Sequence, residues 1–323
     1  MDRQFPHTGY EADLSGLVDS LPGLTCFPPV IQKASRLAKE PQTSASDLAA
    51  VIRDDPLLSA GILRLANSPP SGPARRLSSL REGILALGFS AIRSLGILIA
   101  AVNMLRGVDS HLFRYGDFWM HSLCTALLAQ RLSRSIGISA ADDAFAAGFL
   151  HDAGKAILHQ FARDPFTHVL SVQHERGVLD PEIERRFLNT THMQIGCRLA
   201  EKWHLPACLC DAIDHHHGTS DAGPEPAITA ICSISDYLCS IRGVGSLPSV
   251  GCPPRPELRF PDLTCDLKAV LAVEEKFADI RNEAQALLAV IQGTVRLPIQ
   301  VEGSRVHTQS PLFSEWCERH RRT

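Results

Sequence analysis

An all-α fold is the prediction, on three observations. Apolar residues recur at intervals of three and four along nearly the whole chain, the repeat of a single helix face. No segment sustains the period-two alternation of a half-buried strand, and no Asn-Gly or Asp-Gly pair stands between apolar runs as a hairpin turn would require. The breaks carry helix-start residues instead, either proline or a serine with an acidic residue three positions on.

Residues 1–18 read as a loose tail. In LPGLTCFPPVIQKASRLAKE (21–40), Pro28 and Pro29 open a helix whose apolar face is Val30, Ile31, Ala34 and Leu37. Ser44 and Asp47 have capping-box spacing for a helix bearing Leu48, Val51 and Ile52. Pro56 starts the next, with Leu57, Leu58, Ile62 and Leu65, and ANSPPSGP (66–73) stops it. Ser79 and Glu82 cap another, running through Ile84, Leu85 and Leu87 to Gly88, and Ile92, Leu95, Ile99 and Val102 carry the pattern on. The alternation of helix and short break continues from 117 to 242. The clearest linker is the Pro/Gly-rich stretch over 243–262.

Within 263–323, LKAVLAVEEKFADIRNEAQALLAVIQG reads as one long helix ending at Gly293. Val270, Val273, Phe277, Ile280, Ala284, Leu287 and Ile291 fall in heptad register. That stripe packs either on its own chain or on a second copy, as a homodimer through residues 270–291. A parallel homodimer would set Lys276 against Arg281, so packing within the chain is the favoured expectation.

The chain has 323 residues, 45% of them hydrophobic and 21% charged, enough for two modest domains with a sizeable core. A formal charge of -3 with interspersed signs argues against nucleic acid as a partner. Ten cysteines are scattered without a CxxC and sit mostly in apolar helical contexts, where they act as small hydrophobes. The opening MDRQFPHTGYEADLSG has neither a basic start nor an apolar run, and LGILIAAVNML (95–105) is too short to span a bilayer. A cytoplasmic location without a membrane partner is expected.

AGFLHDAGKAILHQF (147–161) sets His151 and Asp152 against an apolar stretch, with Lys155 just behind. His121 in FWMHSLCTALLAQRL, His192 in LNTTHMQIG, His216 and His217 in AIDHHHG and Asp236 in ICSISDYLC also stand among apolar neighbours. A lone histidine of this kind is usually a hydrogen-bonded core residue, but so many buried ionisable groups each need a partner, which one shared site supplies. Imidazole with carboxylate and no thiolate suits Mn, Fe, Ni or Zn. Two such ions about 3.5–4 Å apart clamp both oxygens of a phosphoryl transfer. Lys155 would then neutralise phosphate charge.

These residues carry a resemblance. HDAGK, with His121 before it and His192, His216, His217 and Asp236 after it, resembles the HD superfamily of helical metal-dependent phosphohydrolases. LPGL, IRDDPLLSAGILRLANS, ILALG, FWMHS, AGFLHDAGK and EKWHLP...AIDHHH, over roughly 19–242, resemble the HDOD family, the HD-related output domain of bacterial signalling proteins. The resemblance implies a helical subdomain over 19–110 followed by an HD-type helical core over 111–242, a regulatory role and a signalling protein partner. It also implies a divalent metal, in a mononuclear or dinuclear site, held by His121, His151, Asp152, His192, His216, His217 and Asp236, with His215 as an alternative in the histidine run. Asp214 adds charge nearby. Relatives that hydrolyse cyclic di-GMP carry a Gly-Tyr-Pro motif after the paired histidines, whereas this chain reads HHHGTSDAGPEP. That departure counts against cyclic-dinucleotide hydrolysis and not against metal binding. The favoured reading is a protein-interaction module, and the alternative is a metal-dependent phosphohydrolase acting on a nucleotide or phosphoester.

Overall fold

The computed structural model describes residues 12–24, 27–68, 76–217, 226–247, 250–251, 272–273 and 275–295. Among them the fold is all-α, with no β-strand. The first five helices are α1 (Pro29–Leu37), α2 (Ala45–Ile52), α3 (Pro56–Ala66), α4 (Leu80–Leu87) and α5 (Phe89–Met104). Their starts follow the local chemistry. Pro29 and Pro56 occupy first-turn positions where a missing N–H is no loss, and Ser44/Asp47 and Ser79/Glu82 form complete capping boxes. Past the end of α3, Asn67 clamps the returning chain: its side chain donates to the Leu77 carbonyl (3.0 Å) and accepts from the Leu77 N–H (2.8 Å).

Eight helices follow: α6 (Tyr115–Ser135), α7 (Ala141–Leu150), α8 (Ala153–Phe161), α9 (Arg163–Arg176), α10 (Pro181–Leu188), α11 (His192–Lys202), α12 (Ala207–His215) and α13 (Pro226–Ile241). α6 is the central post, buried on most sides against α7, α13 and a last helix, α14 (Phe277–Val295). Each fully buried leucine along it, such as Leu123, Leu128 and Leu132, contributes about 1.5–3 kcal/mol of burial energy. The first five helices meet this core through α5 on α7, and α14 bridges α3, α5 and α6. No single helix among the described residues is long and apolar enough to cross a membrane.

Three segments differ from the sequence-based expectation. Within the expected tail, the Ala12 and Leu14 N–H groups donate to the Phe187 and Leu188 carbonyls (both 2.9 Å), which the end of α10 leaves without helical partners. The start of the expected linker is packed rather than bare, with Val244 and Leu247 buried. The C-terminal helix runs from Phe277 through Gly293 to Val295 among the described residues. It buries Ile280, Ala284, Leu288 and Ile291 against its own chain. Leu288 thus replaces Leu287 in the stripe, because a straight helix packed on several neighbours follows a 3.6-residue repeat rather than the 3.5 of a coiled coil. The stripe through which two copies would have paired is occupied within the chain. Val270, most of the linker and the basic C-terminal end lie outside the described residues.

Candidate metal centre

Helix ends position most of the polar residues. α7 stops at Leu150 and α8 starts at Ala153, so His151 and Asp152 occupy the break between two helices. His121 lies along α6, His192 opens α11, His216 and His217 follow the last residue of α12, and Asp236 lies on α13. α8 comes this close to α11 because residue 154 is glycine: a Cβ there would stand 1.9 Å from the His192 carbonyl oxygen. His121, His151, Asp152, His192, His216 and Asp236 are all buried, none more than 4% exposed.

Four of the five imidazoles are oriented from behind. Nδ1 of His121, His151 and His216 faces the backbone carbonyls of Val244 (2.7 Å), Gly148 (2.8 Å) and Ile213 (2.8 Å). A carbonyl only accepts, so each Nδ1 carries a proton and each Nε2 points inward, with its lone pair free where the ring is neutral. For His192, Glu184 Oε2 accepts from both Nδ1–H (2.7 Å) and the backbone N–H (2.6 Å). Carbonyl and carboxylate backing of this kind is what orients metal-ligating histidines.

The inward nitrogens then face one another. Nε2 atoms of His121 and His151 are 3.2 Å apart, and those of His192 and His216 are 3.4 Å apart. Asp236 Oδ1 lies 3.1 Å from His121 Nε2 and 3.7 Å from His151 Nε2. Asp152 spans both sets. Its Oδ2 is 3.5 Å from His151 Nε2, while its Oδ1 is 3.4 Å from His192 and 3.6 Å from His216. That Oδ1 is buried with no hydrogen-bond partner, as is Nε2 of His217. The ligand atoms group as His121, His151 and Asp236, and as Asp152, His192, His216 and His217, each set lying within 4.8 Å. Opposed lone pairs beside two carboxylates and an orphaned carboxylate oxygen fit divalent cations that prefer nitrogen and oxygen.

The charges agree. Burial lowers the pKa values of His192, His216 and His217, keeping these rings neutral and able to ligate. Burial also works against a charged His151, but Asp152 and Asp236 outweigh it and push His151 up to about 10. Burial alone would raise Asp152 and Asp236, yet Lys155 and His151 hold the first, and His121 and His151 the second, well below the usual carboxylate range. Burial lifts Glu184 to about 7 against the pull of the His192 N–H.

Two expected residues sit differently. Lys155 Nζ is committed to Asp152 Oδ2 (2.8 Å) and Ser246 Oγ (3.2 Å) rather than open to a phosphate. His215 Nδ1 turns back to the Asp211 carbonyl (3.0 Å), so His216 and His217 are the pair that enters the centre. Asp214 belongs to neither ligand set. Glu184, Ser246 and the Val244 carbonyl were not legible as site residues. Glu184 left one signal: it shares a helix face with buried Phe187 and Leu188, where a carboxylate needs a partner.

The HDOD domain family model matches residues 24–219. An uncharacterized protein of Treponema pallidum (strain Nichols) is 24% identical over 236 residues, covering 73% of this chain and 45% of that protein. The chain spans less than half the length of the curated relatives it matches. Among solved structures, an HDOD domain protein of unknown function from Geobacter sulfurreducens is 25% identical with a TM-score of 0.67, covering 81% of this chain and 92% of that one. A protein of Marinobacter aquaeolei VT8, whose description proposes signal transduction, is 24% identical with a TM-score of 0.67, covering 84% of this chain and 59% of that one.

Proposed function

The chain belongs to the HDOD family, and from that premise we propose that it is a regulatory module of a bacterial signalling system, acting through protein partners around a buried metal-binding HD centre. Enclosure of that centre carries the reading. His121, His151 and Asp152 are fully buried, and the Lys155 ammonium is already bound to Asp152 and Ser246. An arrangement of this kind ties helices α6, α7, α8, α11 and α13 into one unit, so a change at the centre reaches the surfaces those helices present.

A second reading, a phosphohydrolase acting on a nucleotide or phosphoester, is favoured by the Asp152 carboxylate lying between two imidazole sets. In either reading His121, His151, Asp236 and Asp152 would hold one ion, and Asp152, His192, His216 and His217 a second. When bound, a divalent ion supplies Lewis acidity toward a phosphoryl oxygen. Asp152 would orient both sets, Glu184 would hold His192, and Lys155 would keep Asp152 ionised. The segment 218–225, where the Gly-Tyr-Pro motif is lacking, lies outside the described residues.

The test is metal analysis of protein purified without chelators, followed by loading with Mn, Fe or Ni and chromatography of cyclic di-GMP. Bound metal that disappears in His151→Ala and Asp152→Ala, with little or no turnover, is the expected result. Turnover comparable to an active relative, abolished by those substitutions, overturns the module in favour of the hydrolase. Absence of metal under every loading condition overturns metal binding and leaves a hydrogen-bonded core.

A further inference from the structure

A concavity of about 310 Å³ lies away from the histidine centre, where the end of α1, the first half of α5 and the turn between α11 and α12 meet. Its apolar surface comes from Ile97, Leu205 and Pro206, resting on Phe27, Trp203 and Leu209, which are buried beneath it with the Phe27 and Trp203 rings 4.9 Å apart. Its rim is cationic. Arg93 is held by Asp143 at 3.2 Å, while Arg36 and Lys39 are exposed and meet no carboxylate among the described residues. His204 completes the rim with φ at +54°, a left-handed conformation that a residue with a side chain seldom adopts. At the position after a helix end glycine is the usual occupant, so the imidazole here is kept at a backbone cost. Trp203, His204, Leu205 and Pro206 are the WHLP of the EKWHLP phrase, which supplies nothing to the histidine centre.

We propose that this cleft binds a small aromatic anion, its flat body on Ile97, Leu205 and Pro206 and its phosphate or carboxylate head against Arg36 and Lys39. Size and charge select that class. The volume is at the low end of the roughly 300–1,000 Å³ of ligand sites, which suits one ring system with its head group and excludes a cyclic dinucleotide or a docked helix. With Arg93 neutralised by Asp143, Arg36 and Lys39, which meet no carboxylate among the described residues, are the cations an anion could reach, and charge-assisted bonds to them are stronger than neutral ones. The position suits regulation. α7, α11 and α12 line the cleft near one end and place His151, His192 and His216 at the other, while α1 and α5 close it from the N-terminal side. An occupant therefore touches both groups of helices. The site stands on its own lining and does not depend on metal in the histidine centre.

Titration calorimetry on the full chain tests it, with adenosine 5′-monophosphate and 1-naphthoate as phosphate and carboxylate probes, and adenosine and inorganic phosphate as controls. At least one aromatic anion should bind, with both controls about tenfold weaker or worse. Arg36→Gln combined with Lys39→Gln should weaken that binding by about tenfold or more, with the melting temperature and metal content unchanged. No binding of either anion at millimolar concentration, binding that survives the double substitution, or inorganic phosphate binding as well as the aromatic anions would each overturn the proposal. Metal analysis of the same samples keeps this result separate from the fate of the metal-centre reading.

Discussion

A methyl group on residue 154 would overlap the backbone carbonyl of His192. Backbone cannot turn aside as a side chain can, so Gly154→Ala must push α8 off the first turn of α11 and part Asp152 from His192. We expect a loss of about 3 kcal/mol, at the upper end for overpacking, read as a lower urea midpoint together with reduced bound metal; an unchanged midpoint would show that α11 yields freely. A second residue makes a pH signature. Burial, with Arg163 nearby, lowers His159 to about 4, and its ring stacks on Phe113 at 4.3 Å. Its folded value lies below the unfolded value near 6.5, so the unfolded chain binds the extra proton and acid weakens the fold. The stabilisation is complete above about pH 6.5 and is lost as pH falls toward 4. His159→Phe should flatten the urea midpoint across that window; an unchanged slope would assign it to other groups. Both residues stand in AGFLHDAGKAILHQF, where their identity is plain. Their reasons are not, because the groups they answer to, His192 and Phe113, lie elsewhere in the chain.

At the scale of elements, four helix starts that are decided by their own few residues were read correctly. The Ser44/Asp47 and Ser79/Glu82 boxes and the Pro29 and Pro56 starts are of this kind. A third box escaped notice at the start of α11, where Thr191 accepts from the Gln194 N–H and Gln194 caps the Thr191 N–H. Adjacent Thr190 and Thr191 leave the capping residue ambiguous in sequence. Since His192 is the first residue of that helix, Thr191→Ala should cost about 1 kcal/mol and also weaken metal retention by the His192 set. Stability and metal content measured on one sample decide it; a stability loss with metal unchanged would mean that Glu184 alone fixes His192. α14 shows the opposite case. Its apolar stripe was legible, but whether it served one chain or two was not, because both partners present an apolar face.

For the whole molecule, the centre joins helices from positions 121 to 236, so an ion bound only by the folded chain stabilises the entire core. At one hundred times its dissociation constant it contributes about 2.7 kcal/mol. Adding Mn, Ni or Zn to chelator-treated protein should therefore raise the melting temperature by several degrees, and Asp152→Asn, which removes the carboxylate shared by both sets, should abolish the rise. An equal rise in the variant would place the ion elsewhere.

The sequence by itself determined the helical class, the starts of α1 to α4 and which side chains have the chemistry to bind a metal, because periodicity, capping and side-chain type are properties of short stretches. Only the tertiary structure decided that four imidazoles turn Nε2 inward, that Asp152 spans two sets, that Lys155 closes on Asp152 and Ser246, and that Glu184 and the Val244 carbonyl hold the rings from behind. These depend on the angles and registers at which whole helices pack. Residues distant in the chain set those angles together, and no local pattern encodes them.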